Sequence, residues 1–187
     1  MMENLIKTVV SMLIILILVT VIWVMMCGKS GNRTLELYNH NVKNLKKFWM
    51  HYENEDLEKI EDMMAENYES YFYPINKPKG VKSSKYEELE RMKRFFEIVD
   101  NISLDHIIML PGIDTTNLML DGSVRMYSGW SFDVNDIKIK LSSYGFYDFI
   151  ENKIQLSHEW YDRSGVGLEI RKAFQINENF SEGKPNE

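Results

Sequence analysis

Residues 154–165 read IQLSHEWYDRSG. As a strand this stretch alternates: Ile154, Leu156, His158, Trp160 and Asp162 share one face, and Gln155, Ser157, Glu159 and Tyr161 the other. The first face begins apolar and finishes with an imidazole, an indole and a carboxylate. A strand that only builds core has no use for that ending. A strand lining a pocket does, because pockets are mostly apolar with a few placed polar groups. Ahead of it, Glu151-Asn152 is short enough for a tight hairpin. The preceding run puts Ile137, Ile139, Leu141, Ser143, Gly145, Tyr147 and Phe149 on one face.

Upstream, the same period of two continues. Val124, Met126, Ser128, Trp130 and Phe132 share a face, and so do Ile102, Leu104, His106, Ile108 and Leu110. Turns are expected at Pro111-Gly112, at Asp121-Gly122 and over residues 133–136. Before residue 101 the period is helical. Tyr38, Val42, Leu45, Trp49 and Tyr52 recur at steps of four and three, with Phe48 beside them, as on an amphipathic helix. Asp56 is placed to cap a second helix carrying Leu57, Ile60, Met63 and Met64. An aromatic run through Tyr68, Tyr71, Phe72 and Tyr73 reads as a short strand, and residues 76–80 as loop. Ser84 and Glu87 form a capping box for a third helix. Leu168, Ile170 and Phe174 are expected to close the domain as a short element. Helices first and strands afterwards mean an α+β fold. The expectation is a curved antiparallel sheet wrapped around the long helix, a cone with an internal cavity.

The chain has 187 residues, 44% apolar and 12% aromatic, enough for one core. Its 22 Lys and Arg against 28 Asp and Glu leave a net charge of -6. That argues against nucleic acid as a partner, since such binding is dominated by basic contacts to phosphate. Residues 8–27, TVVSMLIILILVTVIWVMMC, carry no charge. They read as a single membrane-spanning helix, because about 20 apolar residues cross the roughly 30 Å hydrocarbon layer. The membrane is therefore an expected partner and location, with the side of the soluble domain undetermined. A lipoprotein anchored at Cys27, the sole cysteine, is the minor alternative. Residues 1–31 are thus anchor and linker, GKSGN being a flexible joint with Thr34 as the cap beyond it. Residues 32–176 are the domain, and residues 177–187 a disordered tail.

Several stretches together resemble the nuclear transport factor 2-like superfamily, and within it the SnoaL-like proteins. They are FWMHYENEDLEKIEDMMAENY, SVRMYSGW and YDFIENKIQLSHEWYDRSG, in that order and spacing. The resemblance covers most of the chain beyond the apolar segment. It implies the cone fold, and it implies functions as varied as cyclase, isomerase, epoxide hydrolase, transport and assembly module. The family's cyclases use the Asp of an aromatic-x-Asp motif as acid/base, which here is Asp162. The histidine they use falls at Gly145, so that partner is missing. The isomerase's catalytic Tyr falls at Phe48 and its base at about Phe72, so the isomerase pattern fails at both positions.

Asp162 is the candidate catalytic residue, with its carboxylate expected inside the cone. Phe48, Trp49, Tyr52, His106, Trp130, Tyr147, His158 and Trp160 are the candidate ligand-binding residues. One cysteine excludes a multi-cysteine zinc site, and only His106, His158 and Asp162 could converge on a metal. No metal and no cofactor is expected, and no phosphate-cradling loop is present. The leading functional expectation is a membrane-tethered binding or accessory module for a small, largely apolar ligand. The alternatives are an enzyme acting on a small apolar carbonyl compound through Asp162, and a structural domain forming a homodimer through its sheet.

Overall fold

A computed structural model describes residues 2–182; the side chains of residues 3–9, 23–32 and 176–182 lie outside that description. Among the described residues the order is α1 (Met2–Glu53), α2 (Leu57–Met63), β1 (Met64–Phe72), β2 (Val81–Ser84), α3 (Lys85–Phe96), β3 (Asp100–Ile113), β4 (Leu120–Val134), β5 (Ile137–Ile150), β6 (Lys153–Trp160) and α4 (Arg163–Glu182). Local chemistry sets many of these boundaries. The Asp56 side chain accepts the Lys59 amide at the start of α2. Ser84 and Glu87 satisfy each other's backbone donors at the start of α3, the reciprocal arrangement of a capping box. Asn135-Asp136 and Glu151-Asn152 hold φ of 50°, 65°, 48° and 70°. Two consecutive positive values are what a two-residue hairpin turn of matching twist requires.

The six strands form one sheet in the order β2-β1-β6-β5-β4-β3. The expectation of a wholly antiparallel sheet needs correction, because β1 and β6 run parallel. A short hairpin cannot make that pairing. It needs the crossover supplied by everything between residues 72 and 153. β2 follows directly on the expected loop at residues 76–80, and β1 begins at Met64, where the sequence suggests helix. β3 continues through Pro111-Gly112 to Ile113, and the chain reverses at Asp114, whose carbonyl accepts the Leu118 amide at 2.8 Å.

The carboxy-terminal half of α1 lies on the sheet through its apolar stripe, with Leu45, Phe48 and Trp49 buried. Polar contacts fix its register. The Tyr38 hydroxyl donates to the Met109 carbonyl at 3.0 Å and Asn41 Nδ2 to the Gly122 carbonyl at 2.9 Å. Glu53 accepts the Leu104 amide at 2.7 Å. Gly122 has φ +84°, and a Cβ there would stand 2.7 Å from Leu37 of the helix. Only glycine suits both the conformation and the approach. Met126, Phe132 and Val134 of β4, with Ile139, Ile154 and Ile60, complete the core under the helix.

The amino-terminal expectations are corrected. No helix among the described residues is long and apolar enough to cross a membrane. Of the expected span, side chains are described for residues 10–22. Membrane tethering and a single-pass location are therefore not supported. The rest of the predicted span, residues 8, 9 and 23–27, has side chains outside the description, and so does the lipoprotein alternative at Cys27. The expected joint at residues 28–32 is backbone of one continuous helix, α1, so Thr34 lies within the helix and not at its start. At the other end, the expected short element is the twenty-residue helix α4.

Candidate functional site

Two β-bulges decide which side chains face the inside of the cone. Across β5 and β6, Phe149 pairs with Ile154 but Asp148 pairs with Leu156. Gln155 is the extra residue, and after it the faces exchange. Ile154 is buried in the core, yet so is Ser157, three residues on. From there Ser157, Glu159 and Tyr161 point inward. His158 and Trp160 point outward, opposite Phe146 and Tyr144. β3 repeats the device. Leu104 pairs with Trp130 and His106 with Gly129, which leaves Asp105 unpaired in the ladder. Ile107 and Met109 then pack on the core, while His106, Ile108 and Leu110 are exposed.

The inward groups wall a cavity of about 290 Å³. From α1 come Trp49 and Tyr52, and from β4 and β5 Trp130, Phe132, Leu141, Ser143 and Tyr147. α3 adds Glu88, Arg91, Met92 and Phe95, and the chain entering α4 adds Tyr161, Arg163, Val166, Gly167 and Ile170. Trp49 is the hub of the rings. Its centroid is 5.0 Å from Trp130, 5.3 Å from Tyr52 and 6.0 Å from Tyr147, all edge-to-face, the arrangement aromatic quadrupoles favour. The Trp49 Nε1 is buried and has no hydrogen-bond partner among the described residues.

The polar end of the cavity is built around Glu159. The Tyr147 hydroxyl donates to its Oε1 at 3.4 Å. Gly145, directly across the ladder from Glu159, makes room for this. A Cβ at Gly145 would lie 2.4 Å from the Tyr147 hydroxyl oxygen. Close by, Glu88 accepts from Ser70 Oγ at 2.7 Å and forms a tight ion pair with Arg91. Burial first, and the Glu88 carboxylate second, push the Glu159 carboxyl up to about 7, against the pull of Arg91 and the Tyr147 hydrogen bond. Burial and then Glu159 hold the Tyr147 hydroxyl protonated well above its ordinary range. A carboxyl poised near neutrality in an aromatic cavity can donate or accept a proton at physiological pH.

Of the candidates read from sequence, Trp49, Tyr52, Trp130 and Tyr147 come together in the lining. Phe48 is buried behind them, 5.0 Å from Trp49. His106, His158 and Trp160 lie on the opposite face of the sheet. There Trp160 stacks on Tyr73 at 4.4 Å, and His158 Nδ1 meets the Tyr73 hydroxyl at 2.5 Å. Asp162 does not enter the cone. It is exposed, its Oδ1 accepts the Gly165 amide at 2.8 Å and its carbonyl the Val166 amide, so it starts α4. Among the described residues no three His, Cys, Asp or Glu converge as metal ligands.

No protein-family model matches the sequence, and no curated protein matches it. Solved structures do. PrhC from Penicillium brasilianum NBRC 6234 superposes with a TM-score of 0.58 at 12% identity, over 76% of this chain and 92% of that one. AusH from Aspergillus nidulans gives 0.55 at 14% identity, over 67% and 85%. An LEH-like epoxide hydrolase of M. tuberculosis gives 0.51 at 10%, over 73% and 92%. The fold is nuclear transport factor 2-like. At these identities the likeness is one of fold. Within this nuclear transport factor 2-like cone, Asp162, where the resemblance in sequence led one to expect an acid/base, serves as a helix cap. The space next to Gly145, where the cyclase histidine would begin, is filled by the Tyr147 hydroxyl. The carboxyls inside the cone are Glu159, three residues before the aromatic-x-Asp aspartate, and Glu88 of α3.

Proposed function

We propose that this domain binds a small, largely apolar ligand in the cone. The observation that carries the reading is the cavity itself: about 290 Å³ walled by Trp49, Tyr52, Trp130, Phe132 and Tyr147, with the carboxyl groups of Glu88 and Glu159 in its lining. A domain that used its interior only as core would close that space with side chains. The test is calorimetric titration of the full chain with 2-naphthamide, a neutral two-ring probe. One site per chain is expected. Gly167 lines the cavity, and a Cβ there meets nothing nearer than Arg171 at 3.8 Å, so the position admits a side chain, and Gly167→Phe is the variant chosen to fill the space. Binding should vanish in that variant while its thermal unfolding stays cooperative. Undiminished binding in Gly167→Phe, or none in the unaltered protein, would refute the reading.

A second reading, an enzyme, is favoured by one observation. Glu159 titrates near 7 with the Tyr147 hydroxyl beside it, as a general base for proton abstraction next to a carbonyl would. Exchange of the α-protons of 1-tetralone with deuterated water, followed by NMR, tests it. A working base contributes about 10²–10⁴-fold, so exchange should fall to background in Glu159→Gln. A binder retains its affinity for 2-naphthamide in the same variant and catalyses no exchange at all.

A further inference from the structure

The cavity opens into a shallow depression that shares Arg91, Phe95 and Arg163 with its lining and adds Val81, Lys82, Ser83, Glu87, Arg94 and Ile98. In a chain of net charge -6, this mouth collects four cations and one acid. Most of those charges are already committed. Lys82 pairs with Glu69 at 2.6 Å, and Arg91 pairs with Glu88. Glu87, the one acid, is turned back on Ser84 in the capping box. Asp162, next in sequence to Arg163, turns its carboxylate to the amides of α4. Arg94 and Arg163 remain. Both are exposed, and neither has an ion-pair partner among the described residues. The Arg163 guanidinium is held over the Phe72 ring, 5.3 Å from its centroid, at the point where cavity and depression meet.

Inside, the pattern reverses. Apart from Glu159, Ser143 and the paired Arg91 and Glu88, the walls are rings and aliphatic groups. An apolar, ring-walled interior with two uncommitted guanidinium groups at its entrance has the distribution of an amphipathic acid, turned inside out. Guanidinium is also the side-chain group whose planar donors match a carboxylate in two parallel hydrogen bonds. We propose that the ligand of this pocket is a small organic acid, its one- or two-ring body seated in the cone and its carboxylate held at the mouth by Arg163 and Arg94. This rests on the pocket reading above and adds the chemical class and the direction of entry.

The test compares 2-naphthoate with 2-naphthamide, which has the same shape and no charge, by calorimetry on the full chain at pH 7.5. The acid should bind about ten-fold or more tightly than the amide, as charge-assisted hydrogen bonds to a carboxylate do. The difference should shrink as salt rises from 20 to 300 mM, because the mouth is open to solvent. In the double variant Arg94→Gln, Arg163→Gln the acid should lose far more affinity than the amide, so that the two bind about alike. Both positions are exposed, and a thermal melt checks that the variant is folded. Should the variant fail that check, the salt series on the unaltered protein decides. An amide that binds as tightly as the acid, or an acid indifferent to salt and to both substitutions, overturns this inference and leaves the pocket reading standing. Absence of binding by either probe overturns both.

Discussion

Glu159 is the residue on which the interior chemistry depends, and its titration has a consequence for stability. In the unfolded chain a glutamate releases its proton near 4.3. Here the folded state holds that proton up to about 7. Between those values the folded state binds more protons than the unfolded one, so stability falls as pH rises through that window and levels off above it. The loss is on the order of 3–4 kcal/mol. Glu159→Gln should abolish this part of the pH dependence: urea midpoints from pH 4.5 to 8 should decline less steeply in the variant than in the unaltered protein. Parallel curves would mean that Glu159 is not held protonated. Gly145→Ala acts on the same spot from the other strand. With a Cβ 2.4 Å from the Tyr147 hydroxyl, the ring must swing away, and binding of 2-naphthamide should weaken more than the melting temperature falls. Asp162→Ala removes a helix cap, which costs about 1 kcal/mol. Probe affinity should not change, which a catalytic or ligand-contacting Asp162 would not allow.

Elements whose signals are local were legible in the sequence. The capping box of Ser84 and Glu87, the cap at Asp56, the Glu151-Asn152 hairpin and the stripe from Tyr38 to Tyr52 each depend on residues within a turn or two of one another. The inward face of β6 was not legible. Alternation from Ile154 predicts His158 and Trp160 inside, but the bulge at Gln155 is a property of two paired strands, 148 against 156 and 149 against 154. Nothing in the one strand announces it. The same held for His106 after Asp105. Both misreadings moved polar and aromatic groups from the outer face of the sheet into the pocket and hid Glu159 among residues read as solvent-facing. The bulge itself is testable. Deleting Gln155 removes the extra residue, so that Leu156 follows Ile154 directly and Ser157 and Glu159 keep their inward face. The shortened protein should therefore still unfold cooperatively, with Ser157 buried against Tyr68 at 2.7 Å; loss of cooperative unfolding would mean that the faces are not set by the bulge.

At the scale of the molecule, helix α1 reaches well past the part that packs on the sheet. The side chains at residues 10–22 are all exposed, whereas the contacts to β3 and β4 begin at Leu37 and Tyr38. Removing residues 1–31 should therefore leave the melting temperature within about 2 °C, since no described core contact is lost. Light scattering should show the shortened chain to be less prone to associate, because a fully exposed apolar helix surface is an association liability. A fall of ten degrees would mean that the helix is needed in one piece.

The parallel pairing of β1 with β6 has a consequence for how the protein is made. On the ribosome β1 emerges more than eighty residues before the strand that completes it, at about 5–20 residues per second. β3, β4, β5 and β6 can zip together as successive hairpins, but β1 and β2 can join them only when residues 153–160 have left the exit tunnel. Until then an aromatic-rich edge, Tyr68 to Phe72, stands without its neighbour. Synthesis, not only sequence, thus sets an interval of several seconds in which the nascent chain is open to the wrong partner. Pulse proteolysis of chains stalled at residue 150 should cut within β1, and full-length chains released from the ribosome should resist.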